Sequence, residues 1–134
     1  MRRSTVAYME ISLIDNAVAL KDPDGYEEVR IDVAKALKSL QLSFFAHEVM
    51  HKDGSLKSDE DLSEKIATRR GEMRERIAFG EDFQKPVAGI GINDNFELGA
   101  GRDLFVLLAM EGWREIPVHI RKKQRKDLHK FIIE

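Results

Sequence analysis

Two short stretches of the chain carry residue types and spacings that could do chemistry. The first is His47-Glu48-Val49-Met50-His51. On a helix, H-E-x-x-H spacing places two imidazoles on one face to bind zinc and leaves the glutamate as general base. The flanks argue against that use. Charged Lys52 and Asp53 follow at once, a Gly54 turn comes next, and His119, on an expected strand far downstream, is no ready third ligand. If the stretch is extended, His47 and His51 share one face with Phe45 and Val49, while Phe44, Ala46, Glu48 and Met50 share the other.

The second stretch is Phe96-Glu97-Leu98-Gly99-Ala100-Gly101-Arg102-Asp103. Strand-like residues run into a Gly-Ala-Gly turn, and a helix is expected to start at Arg102. Glycines allow a tight turn and a close backbone approach to a ligand, because no Cβ intrudes. A helix start offers unpaired N–H groups and the positive end of the dipole, which suits a phosphate. Arg102 could add a charge-assisted contact. Asp103 pulls the other way, since a carboxylate in the first turn repels phosphate and serves equally well as a helix cap. The residues alone thus leave two readings, an anion cradle and a purely structural turn.

The elements that must position these stretches follow from periodicity. Val6 to Ile14 reads as a strand, and Asp22-Pro23-Asp24-Gly25 as a turn. Val29, Val33, Leu37 and Leu40 recur at helical spacing, so a helix is expected from Glu27 to about Leu40. Leu42 to Met50 is open between strand and helix. Ser58 with Asp61 reads as a capping box for a helix whose buried stripe is Leu62, Ile66, Met73 and Ile77, with Gly71 a place to bend it and Gly80 its stop. Val87 to Ile92 and Asn95 to Leu98 read as a hairpin turning at Asn93-Asp94. A helix over Arg102 to Glu111 and a strand over Ile116 to Ile120 come next.

A net charge of −2 hides an asymmetry: Arg121 to Lys130 carries six Lys/Arg against one Asp, so the remainder is acidic. A basic C-terminal helix over about 121–132 is expected, with Leu128, Phe131 and Ile132 inward. Arg121, Lys122, Arg125 and Lys126 are then candidates for a nucleic-acid or acidic-partner contact, the alternative being a solvated helix face. There is no cysteine, which excludes disulfides and thiolate chemistry and fits a cytoplasmic setting. Glu10 interrupts the opening, which argues against a signal peptide, and no apolar run approaches the roughly 18 residues of a membrane span. At 134 residues the chain is expected to form one domain.

From Gly80 the chain reads G-E-D-F-Q-K-P-V, a strand A-G-I-G-I, a turn, F-E-L-G-A-G-R, an apolar helix, E-G-W, then R-E-I-P-V-H-I. That order, over about 62–120, resembles the ParB/sulfiredoxin-like superfamily, also known as ParB-like nuclease domains. The resemblance implies an α/β (α+β) fold with a small mixed sheet covered by helices. It also implies a nucleotide pocket, with Gln84, Lys85 and Pro86 beginning one wall. Gly99, Ala100, Gly101 and Arg102 would hold the phosphates of a nucleoside triphosphate with Mg2+, and Lys85 would be a second cation. Glu97 and Asp103, which flank the turn, become candidate general bases or metal ligands for DNA-associated or nuclease-type chemistry. Sulfiredoxins carry a catalytic cysteine in this turn, so their chemistry is excluded here.

Overall fold

The computed structural model describes residues 10–134. Its strands form three two-stranded ladders. Strand β1 (Ser12–Ile14) pairs in parallel with β3 (Asp82–Gln84), while β2 (Tyr26–Asp32) pairs antiparallel with β6 (Glu115–Arg121) along its whole length. The third ladder is the hairpin of β4 (Ala88–Ile90) and β5 (Phe96–Leu98). A parallel bridge between Val87 and His119 ties the start of this hairpin to β6. The architecture is therefore α+β with mixed pairing, although the strands do not form one continuous sheet among the described residues. Of the expected first strand, Val6–Met9 lies outside those residues.

The helix expected from Glu27 is a correction. Its first six residues belong to β2, where Val29 and Ile31 are buried and Glu28 and Arg30 exposed. The apolar spacing fitted both periods. The long pairing with β6 decides it, since β-branched residues pack well on a half-buried ladder. Helix α2 (Val33–Leu40) starts only where the Asp32 carboxylate accepts a hydrogen bond from Lys35 N at 3.2 Å.

Residues 42–50 hold one turn and a short helix, α3 (Ala46–Val49). Helix α4 (Glu64–Ala78) begins later than the Ser58 box implied. Ser63 caps it by accepting from Ile66 N, and Ser58 reaches only the Asp61 side chain. Gly71 leaves α4 unbroken. Gly80, with φ of +78°, ends it as expected.

Helix α5 (Arg102–Met110) is the centre of the core, with Leu104 to Leu108 all buried. A helix buried all round in this way needs apolar neighbours on every side. Phe96 of β5 supplies one, its ring 5.7 Å from Phe105, and it also packs edge-on to Phe131 at 5.3 Å.

The single basic C-terminal helix is a second correction. Arg121 ends β6, and the rest is two tight 3-10 turns around α6 (Arg125–Leu128). Leu128 and Phe131 are buried and Ile132 partly so, as expected. A short helix α1 (Ala17–Lys21) follows β1, capped by Asn16.

Candidate functional site

The turn between β5 and α5 is built on the segment 85–87. Val87 N donates to Ala100 O at 3.0 Å, and Gly99 N donates to Val87 O at 2.9 Å. Gly101 has φ of +80°, and a Cβ there would sit 2.9 Å from Pro86 Cα. Both the left-handed backbone and the close approach exclude a side chain. Gly99 differs: its φ is not positive, and a Cβ would meet only Val87 O at 3.8 Å. One of the two glycines is thus required by packing.

Gly101 is also the residue that caps α5, and it has no side chain to do so. The first-turn N–H groups of α5 are left without a side-chain acceptor, at the positive end of the dipole. Beside them Arg102 lays its guanidinium over the Phe45 ring, 4.6 Å from the centroid. No ion pair or hydrogen bond engages that guanidinium among the described residues. Arg102, Phe45, Ser43, Phe44, Glu48, Glu97 and Leu98 line one surface cavity of about 410 Å³. Phe44 is 82% exposed there.

The cavity also holds two carboxylates. Glu97 Oε1 accepts from Ser43 Oγ at 2.7 Å and from Leu98 N at 3.2 Å. Glu48 is half-buried, and its carboxylate has no partner among the described residues. Of the residues singled out in the sequence, the structure therefore brings together Glu97, Arg102 and the Gly99–Gly101 turn. It adds Phe44, Phe45 and Glu48, which sequence spacing did not associate with the turn.

Three other residues are placed elsewhere. Asp103 turns away from the cavity, its carboxylate 3.4 Å from Arg69 Nε, and lines a separate small recess with Arg70 and Val106. Gln84 Oε1 accepts from Ala17 N at 2.8 Å, which fixes the β1–α1 connection. Lys85, expected as a second phosphate cation, is engaged internally. Its Nζ lies 2.9 Å from Asp15 Oδ1 and 2.7 Å from Glu28 Oε1, and its side chain is only 14% exposed. His119 shares this cluster, its Nε2 3.5 Å from the same Asp15 oxygen and its side chain 6% exposed.

The charges in the cluster tune one another. The Lys85 hydrogen bond holds the Asp15 carboxyl below its ordinary range, and the hydrogen bond to Glu28 raises Lys85. Burial pushes His119 below the usual histidine value.

The H-E-x-x-H stretch is not a helical ligand pair. Helix α3 stops at Val49, so His51 lies beyond it, at the start of a turn in which Gly54 N donates to His51 O at 2.9 Å. His47 Nδ1 is bonded to Phe44 O at 2.9 Å, and His51 Nε2 sits 3.3 Å from Asp61. Among the described residues, no group of three or more His, Cys, Asp and Glu side chains could hold a metal ion.

The basic C-terminal residues divide. Arg121 stacks over Tyr26 at 5.3 Å, and Arg125 pairs with Glu27 at 2.7 Å, so both serve the fold. Lys122 and Lys126 are exposed and carry no ion pair among the described residues. Among those residues no helix is long and apolar enough to cross a membrane.

Models of protein families, curated proteins and solved structures give no match to this chain.

Proposed function

We propose that this is a nucleotide-binding domain of ParB/sulfiredoxin-like type, which takes the phosphates of a nucleoside triphosphate at the start of α5. The observation that carries the reading is the state of Arg102. Its guanidinium lies over the Phe45 ring beside an uncapped helix start, with its N–H donors unengaged among the described residues. A stacked guanidinium loses little further freedom on binding, and its planar fork matches two phosphate oxygens. The backbone N–H groups of the α5 first turn complete the contact. Lys85 takes no part, because Asp15 and Glu28 already neutralise it.

The hard oxygen donors Glu48 and Glu97, in the same cavity, fit Mg2+, which when bound would offset the phosphate charge beside them. Asp103 has no part in this site as a base or metal ligand, since Arg69 engages its carboxylate away from the cavity. Exposed Lys122 and Lys126 favour a second reading, a contact with nucleic acid. That contact should weaken steeply between about 50 and 200 mM salt and be lost on combined Lys122→Glu and Lys126→Glu substitution.

The test of the first reading is thermal melting with ATP, CTP, GTP and UTP, each with Mg2+, beside Arg102→Ala. A ligand at 100 times its Kd adds about 2.7 kcal/mol, a visible rise in Tm. A rise with wild type that is absent in Arg102→Ala supports the phosphate site. No rise with any nucleotide at millimolar concentration refutes it.

A further inference from the structure

We propose that His119 is the proton-binding element of a clasp that grips the segment 85–87 and, through it, the Gly99–Arg102 turn, so that acid loosens the turn. The segment is held on both sides. On one side Lys85 N donates to Ile14 O at 2.9 Å, and His119 N donates to Pro86 O at 2.9 Å. On the other side Val87 exchanges hydrogen bonds with Gly99 and Ala100, and Pro86 backs Gly101 with no room for a Cβ. A shift of this segment away from β6 therefore moves the floor of the turn.

The side chains supply the proton dependence. Lys85 Nζ and His119 Nε2 approach the same oxygen, Asp15 Oδ1, at 2.9 and 3.5 Å. Charged groups face the ring from three elements: Asp15 after β1, Lys85 after β3, and Glu28 on β2, the register partner of His119. His119 Nε2 is fully buried and makes no hydrogen bond. While the ring is neutral, Lys85 alone holds the two carboxylates. A proton on the ring places a second cation against the shared oxygen, in a position water does not reach, and burial makes the charged ring costly. The carboxylates offset part of that cost, and Lys85 adds to it. Burial is the largest influence on the ring and holds it neutral. Asp15 attracts the charged ring, but burial outweighs that attraction, so protonation favours states in which the ring has gained water. Those are the states in which the segment is released.

The experiment is amide hydrogen exchange of Lys85, Val87 and Gly99 between pH 7.5 and 5, corrected for the intrinsic rates, in wild type and in His119→Gln. In wild type the opening equilibrium should rise as pH falls, by about tenfold for each unit that the folded ring's pKa lies below its unfolded value. In His119→Gln, which has no proton to gain, the rise should vanish. An NMR titration of the His119 ring in wild type needs no variant, and it should show a value below that of a free imidazole. A flat exchange profile, a rise that persists in His119→Gln, or a ring that titrates at or above the free value would each overturn the clasp.

Its consequence for ligands rests on the phosphate reading, and inorganic tripolyphosphate separates the two. Binding that weakens from pH 7.5 to 5.5 more in wild type than in His119→Gln supports both. Equal weakening in the two proteins overturns the coupling. No binding at any pH refutes the phosphate site and leaves the exchange result to stand on its own.

Discussion

The two cationic regions on either side of segment 85–87 have the same ingredients and opposite states. Lys85 is drawn inward between two carboxylates from other elements, and its charge is neutralised within the fold. Arg102 sits on an aromatic face, shares a cavity with Glu48 and Glu97, and pairs with neither. A satisfied cation stabilises a joint, whereas an unengaged one held in a fixed pose is free to bind an anion. Residue type does not separate the two cases. What each side chain meets across the fold does.

The largest effect should come from the backbone between the two regions. Gly101→Ala forces a Cβ into Pro86 at a left-handed φ and should cost about 3 kcal/mol, from strain and overpacking together. Gly80→Ala is the control, because its φ is similar but its Cβ would meet open space, and it should cost only about 1 kcal/mol. Urea unfolding of both variants checks this, and equal losses would mean that Pro86 does not hold the turn.

Next comes the closed cluster. Lys85→Met should cost about 1 kcal/mol, a modest figure because both carboxylate partners are half-exposed and screened. Because the backbone bonds of segment 85–87 remain, it should weaken any phosphate binding at the turn far less than Arg102→Ala does. Arg102→Ala should show the reverse pattern, losing at most about 0.5–1 kcal/mol of stability with its stacking on Phe45, while phosphate binding disappears. If Lys85→Met abolishes binding, or Arg102→Ala unfolds the protein, the contrast between the regions is wrong.

The smallest effect is on pH. The folded His119 ring binds its proton less readily than the ordinary value of 6.5, so the unfolded chain takes up the proton first as pH falls. The stability that a neutral ring contributes is full above that value and is lost as pH drops through it toward the folded value. Asp15, held low by Lys85, acts in the same direction in a lower window: its contribution is present above the ordinary carboxylate value and is lost as pH falls from there through the folded value. Urea midpoints at pH 7, 6 and 5 in wild type and His119→Gln should diverge progressively as pH falls below the ordinary histidine value.

Much of the frame was legible in the sequence. The Asp22–Gly25 turn, the hairpin turning at Asn93-Asp94, the helix from Arg102 and the strand before Arg121 are all present. The misreadings have a common cause. Val29, Val33, Leu37 and Leu40 fit a helix by spacing, and only pairing with β6, some 85 residues away at Arg30 and Glu115, made Glu27 to Asp32 a strand. Ser58 and Ser63 both look like caps, and which of them accepts from the backbone depends on where the chain docks.

For the site, the sequence by itself determined the strand, the glycine turn and the helix with Arg102 at its start. These follow from short-range sterics and hydrogen bonding, which act within a few residues. Tertiary structure alone decided which charges stay free. Lys85 meets Asp15 and Glu28 across separations of 70 and 57 residues, Asp103 meets Arg69 across α4, and Phe45 arrives under Arg102 from the loop before α3. Partners so distant in sequence leave no local pattern, because the contact is set by how the core around α5 closes.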